Sequence, residues 1–148
     1  MDDYLFSYAA PTDPLCKRRI IRLVETATGQ PVLKRLYLDN KRNPRPGENF
    51  WDAAVRSLAL DIDYDERASA EIPRSGPALF VANHPYGVLD GIVLSWLVQK
   101  IRPDFAVLTH AVLLRAEEVR SFILPIDFSR SDEALETNIR SRRRSCAS

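Results

Sequence analysis

Beyond Pro77, three short apolar runs alternate with stretches whose apolar residues recur at helical spacing: ALFVA (78–82), FAVL (105–108) and FILPIDF (122–128). Runs this short, bounded by turn formers, predict strands buried on both faces. Between them, Leu89, Ile92, Val93, Trp96, Leu97 and Ile101 form a broad apolar face whose intervening residues are also largely apolar, which predicts a deeply buried helix. A shorter helix is expected from Leu113 to Arg120. A last one is expected from about Ser131, opened by a capping box of Ser129 and Asp132. This β and α alternation predicts an α/β fold, a layered domain with a short parallel-type sheet and N-terminal helices.

The region 1–70 reads as a helical approach to a core formed by 71–148. Asp13 and Pro14 are a helix start, and the helix is expected to run to about Gly29. Cys16, Ile20, Leu23, Val24 and Ala27 make one face apolar, while Lys17, Arg18, Arg19 and Arg22 take other positions. Such a helix either packs its stripe on the core or lies on an anionic membrane surface. The turn-rich NKRNPRPGEN (40–49) ends the pattern. Helical spacing resumes at Trp51, Ala54, Val55 and Leu58. Leu60, Ile62 and Tyr64 then alternate with Asp61, Asp63 and Asp65, as a half-exposed strand would.

Composition narrows the function classes. The 148 residues are 45% apolar and 28% charged, which suits one globular domain and excludes a disordered polymer. With 21 Lys and Arg against 20 Asp and Glu, the net charge of +1 provides no global field for nucleic acid. Two cysteines, Cys16 and Cys146, do not make a disulfide framework, and a domain of this size does not require one. The acidic start MDDYLFSYAAP is unlike a secretory signal, and no apolar segment reaches the roughly 20 residues that span a bilayer. A cytoplasmic setting is therefore expected.

The chemistry concentrates in NHPYGVLDG (83–91). His84 follows an expected buried strand, and Asp90 opens the helix after it. Strand ends are where α/β sites sit. Pro85 and Gly87 favour a turn that would fold the chain back and bring His84 and Asp90 together. An imidazole oriented by a carboxylate is the usual design of a general base. Each residue also has a plainer reading: Asp90 as a helix-capping acid, His84 as a hydrogen-bonded loop histidine, Asn83 and Pro85 as strand terminators.

These residues resemble the glycerol-3-phosphate and lysophospholipid acyltransferases, whose signature is a histidine and an aspartate after a strand. The commonest family pattern separates the pair by one residue fewer, and NHPYGVLDG looks like a hemolysin-like bacterial branch with the longer spacing. IPRSGPALFVANHP resembles the family's approach to its histidine and ILPIDFS the branch's second block, so the likeness runs from about Ile72 to Arg144. It implies acyl transfer from acyl-CoA or acyl carrier protein to a lysophospholipid or glycerol-phosphate-type hydroxyl, or to an amine. His84 and Asp90 would be catalytic, Asn83, Pro85, Tyr86, Gly87 and Arg115 substrate-binding, and no metal or other cofactor would be required. It also implies a protein peripheral to the cytoplasmic face of the inner membrane. The family's later glycine-bearing block, FPxG or EGTR in form, has no counterpart here, so the resemblance reads the chain as C-terminally truncated, an incomplete acyltransferase domain of doubtful full activity.

Two other classes compete. A catalytically inactive membrane-surface binding protein would use the helix from Asp13 to Ala27 for lipid contact. A metal-dependent phosphoesterase would need more ligands than His84, His110 and the alternating Asp61, Asp63 and Asp65. Arg115, Arg120 and Arg130 carry forked donors suited to a phosphate, with an ordinary surface position as the rival reading of each. The arginines of SRRRS (141–145) and Arg140 read as a solvated helix end. His110 reads as structural, having no acidic neighbour close in sequence.

Overall fold

A computed structural model describes residues 7, 9, 12–27, 30–83, 85–129 and 131–145. It contains six helices among them: α1 (Leu15–Ala27), α2 (Gln30–Arg42), α3 (Phe50–Ser57), α4 (Glu66–Ala70), α5 (Val88–Ile101) and α6 (Asp132–Ser145). Two strands, β1 (Val107–His110) and β2 (Ile123–Ile126), pair in parallel, with Val107 opposite Ile123 and His110 opposite Ile126. The crossover between them is made of two 3₁₀ segments, Ala111–Arg115 and Glu117–Phe122, where one α-helix from Leu113 to Arg120 was expected. The architecture is mixed α and β, with helices around a short parallel sheet.

Local chemistry explains most element boundaries. Asn49 caps α3, its Oδ1 accepting the Trp51 and Asp52 N–H groups at 2.9 and 3.0 Å. Asp65 caps α4 in the same way, accepting from Arg67 and Ala68. That use of Asp65 ends the segment in which a strand was expected. Residues 60–65 do alternate half-buried with exposed side chains, but among the described residues they join no ladder. At the far end of α5, buried Arg102 grips Asp104 at 3.0–3.1 Å and the Gly76 carbonyl at 2.6 Å, and Pro103 prevents the helix from continuing. Ser131, rather than the expected Ser129 and Asp132 box, caps α6, its Oγ accepting the Ala134 N–H at 3.1 Å.

The core centres on Trp51, Ala116, Val119 and Ile123. Trp51 meets Phe122 edge-on at 5.9 Å and Phe105 at 6.1 Å, while Phe105 and Phe122 stack at 5.0 Å. These contacts join α3 to the crossover and the sheet. Helix α6 packs along β2: Ala134 is buried, and Ser141 Oγ donates to the Pro125 carbonyl at 2.6 Å. Proline at this position is tolerated because β2 is an edge strand that needs no donor there.

The run ALFVA departs most from expectation. Residues 77–83 form no strand, and Leu79 and Val81 are 89% and 82% exposed. A strand exists only where a neighbour accepts its hydrogen bonds, and β1 pairs with β2 alone among the described residues. Helix α5 is correspondingly half-buried rather than enclosed, with only Ser95 and Val98 buried.

An electrostatic contact ties α2 to the crossover. The Tyr37 hydroxyl donates to Glu118, and Lys41 lies 3.3 Å from both Glu117 and Glu118. Burial together with this hydrogen bond pushes Tyr37 from 10.0 up to about 12. Burial works to raise Glu118, but hydrogen bonds from Tyr37 and Lys41 outweigh it and hold the carboxyl below its usual range. Because the folded state keeps the phenol protonated to a higher pH, this contribution is complete below pH 10 and fades as pH rises toward 12. Denaturant midpoints measured across that window are expected to fall more steeply for the native chain than for Tyr37→Phe. Packing offers a second check by the same measurement. Trp51→Ala is expected to cost about 3–5 kcal/mol, whereas Leu79→Ala should change stability by less than about 0.5 kcal/mol.

Candidate functional site

The turn Pro85–Gly87 leads directly into α5. Gly87 has φ +61°, a conformation that side-chain-bearing residues resist, and this allows the chain to reverse within three residues. Asp90 lies in the first turn of α5, where its charge favours the free N–H groups of the helix. Its Oδ2 accepts the Tyr86 N–H at 2.7 Å, closing the turn back over the carboxylate. Asp90 Oδ1 accepts from none of the described residues. His84, and with it the expected contact between imidazole and carboxylate, lies outside the described residues.

Asn83, Pro85, Tyr86 and Gly87 are all exposed, Tyr86 by 75%. The turn therefore projects into solvent. Arg115, expected beside the substrate, is directed elsewhere: its Nη1 donates to the Ser7 carbonyl at 3.0 Å. Arg120 donates to the Leu114 carbonyl, and Arg130 lies outside the described residues. Along α5, Trp96 is held by Asp52 at 2.9 Å, by Tyr64 edge-on at 5.9 Å and by Lys100 at 4.2 Å over its ring. A cavity of about 190 Å³ at the end of α5 touches Leu97 and Ile101 but not the turn. It is smaller than the roughly 300–1,000 Å³ typical of ligand pockets.

The carboxyl ends of the two parallel strands bring together a pair that sequence separation concealed. His110 Nδ1 accepts the Val112 N–H at 3.0 Å, and its ring stacks on Phe128 with centroids 5.6 Å apart. Asp127, one residue past β2, is held below the usual carboxylate range by the Ser129 backbone and hydroxyl, with His110 adding to the effect. The register of His110 with Ile126 places these residues side by side. That register was the missing signal, because no local motif encodes it. Asp65 of the alternating acids is occupied as a helix cap, and among the described residues no group of three His, Cys, Asp or Glu side chains could hold a metal ion.

Helix α1 is turned opposite to the core-packing reading of its sequence. Its inward positions are Arg18, Ile21 and Glu25, and Glu25 is buried, accepting the Ser7 hydroxyl at 2.9 and 3.1 Å. The apolar stripe faces out. Leu15, Ile20, Leu23 and Val24 are 71, 64, 72 and 56% exposed, with Lys17 beside Val24 at one edge and Arg19 between Leu15 and Leu23. Among the described residues, no helix is long and apolar enough to cross a membrane.

Comparison with models of known protein families, with curated proteins and with solved structures finds no match to this chain.

The hydrogen bond from Tyr86 to Asp90 makes a direct prediction. Asp90→Ala is expected to cost about 1 kcal/mol by removing the acceptor at the helix start. Asp90→Asn retains an oxygen acceptor and should cost about half that or less, as read from urea midpoints of the three proteins.

Proposed function

We propose that the chain carries the His and Asp motif of an acyltransferase acting at a membrane surface. The fold behind this reading is a glycerolipid-acyltransferase-like layered domain, and its place is the cytoplasmic face of the inner membrane. The observation that carries it is the bond between Asp90 Oδ2 and the Tyr86 N–H, which folds the turn following His84 back over the carboxylate. The exposure of Asn83, Pro85 and Tyr86 adds support, since a lipid acceptor and a bulky thioester both require an open approach.

In this mechanism, His84 removes the proton from the hydroxyl of a lysophospholipid or glycerol phosphate as its oxygen attacks the thioester carbonyl of acyl-CoA or acyl carrier protein. Asp90 stabilises the imidazolium that forms. The tetrahedral intermediate collapses with formation of the ester and loss of the C–S bond, and the imidazolium returns its proton to the departing thiolate. No metal takes part, and no covalent enzyme intermediate forms.

A purely structural Asp90 would make the same bond to Tyr86, and substitution separates the two roles. With long-chain acyl-CoA and lysophospholipid presented in vesicles, His84→Ala and Asp90→Asn should each lower product formation by about a hundredfold or more. Turnover unchanged in both variants would remove the assignment, the more firmly because Asp90→Asn is expected to fold normally.

The outward stripe of α1 favours a second reading, lipid binding without catalysis. An exposed apolar face with Lys17 at its edge and Arg19 within it suits the boundary of an anionic bilayer. Sedimentation with anionic vesicles is expected to be reduced severalfold by a paired Leu23→Glu and Val24→Glu change and to be indifferent to His84→Ala. Equal sedimentation of the paired variant would exclude α1 as the lipid contact.

A further inference from the structure

A second cavity, of about 350 Å³, opens between α2, α3 and the second 3₁₀ segment, with the loop 43–49 as its outer wall. We propose that it binds a small planar organic anion, an aromatic carboxylate in chemical class. None of its described lining residues belongs to the segment 83–90, so this inference stands apart from the acyltransferase reading.

The apolar part of the wall is aromatic. Phe50 and Trp51 meet edge-on with centroids 5.0 Å apart, and Phe122 continues the surface 5.9 Å beyond Trp51. Flat rings pack against such a surface with little loss of conformational freedom.

The polar part of the wall is already sorted into engaged acceptors and available donors. Both of its carboxylates are engaged: Glu48 is clamped by Arg56 at 2.7 and 2.8 Å, and Glu118 accepts from Tyr37 and Lys41. Asn40 Oδ1 accepts from Arg56 at 2.7 Å, while the Asn40 amide N–H groups donate to none of the described residues. Arg45 makes no ion pair or side-chain hydrogen bond among the described residues, although its charge contributes to holding Glu48 low. The Trp51 indole N–H has no partner among the described residues but is sealed from solvent, and so from the cavity, and is not one of these donors.

A ligand carboxylate brings acceptors to the Arg45 guanidinium and to the Asn40 amide, the two lining groups with donors to spare. A net negative charge is favoured because Arg45 is uncommitted and the carboxylates are already neutralised by Arg56 and Lys41. The volume, at the lower end of the range for ligand pockets, restricts the occupant to one or two fused rings bearing the acid.

The test uses the full chain and naphthalene-2-carboxylate as the probe, followed by titration calorimetry. One saturable site with a Kd below about 1 mM is expected. Naphthalene-2-carboxamide should bind about tenfold or more weakly, and Arg45→Gln should weaken the carboxylate by a similar factor. Arg45 is exposed on a loop, so this variant should keep the native thermal midpoint. Arg42→Gln, exposed and outside the cavity, should bind within about twofold of the native chain. No saturation, equal binding of the amide, an unaffected Arg45→Gln, or inorganic phosphate binding as tightly as the naphthoate would each overturn the proposal. The last outcome would do so by making the aromatic wall irrelevant.

Discussion

The packing of Trp51 against Phe105 and Phe122 is the contact on which the arrangement of the molecule depends. Trp51 belongs to α3, Phe105 precedes β1 and Phe122 precedes β2, so one indole holds a helix, a strand entry and the crossover exit in register. A two-stranded parallel sheet has few hydrogen bonds of its own and needs apolar cover. Here the cover comes from the aromatic cluster and from α6, which packs along β2. The tie between α2 and the crossover, through Tyr37, Lys41 and Glu118, adds a polar contact at the cluster's edge.

The apolar surface without cover is as informative as the core. Leu79 and Val81 stand in solvent because, among the described residues, no strand receives their backbone, and the α1 stripe stands in solvent because Glu25, bonded to Ser7, takes the inward position. Burying a carboxylate while exposing leucines is unfavourable by transfer energetics alone. It becomes understandable where the outward face meets another apolar phase. The motif turn lies in the same exposed category.

Legibility in the sequence followed the range of the interactions involved. The starts of α1 and α5 were readable because prolines, glycines and helix-opening acids act within a few residues, whereas the cap of α6 proved to be Ser131 and not the Ser129 and Asp132 box. The parallel pairing of β1 with β2 followed from the order of the elements. The ALFVA strand did not form, because a strand needs a partner that composition cannot supply. The half-exposed strand at 60–65 gave way to the Asp65 cap, and Arg115 was drawn to the Ser7 carbonyl, more than a hundred residues away in the chain. Within the candidate site, the turn and the placement of Asp90 were legible, since Gly87 and a helix-opening acid are local signals. The adjacency of Asp127 to His110 was not, because it depends on strand register.

The amino-acid order alone therefore determined the local elements: where helices start and stop and where turns reverse the chain. Tertiary structure alone decided which apolar faces became interior, which arginine was taken up by a backbone carbonyl, and that an aromatic cavity with unused donors lies between α2 and α3. The physical reason is that caps and turns are satisfied by groups within a few residues. Burial and ion pairing, by contrast, depend on whichever surface competes most favourably for each face, and that competition is settled only when distant segments meet.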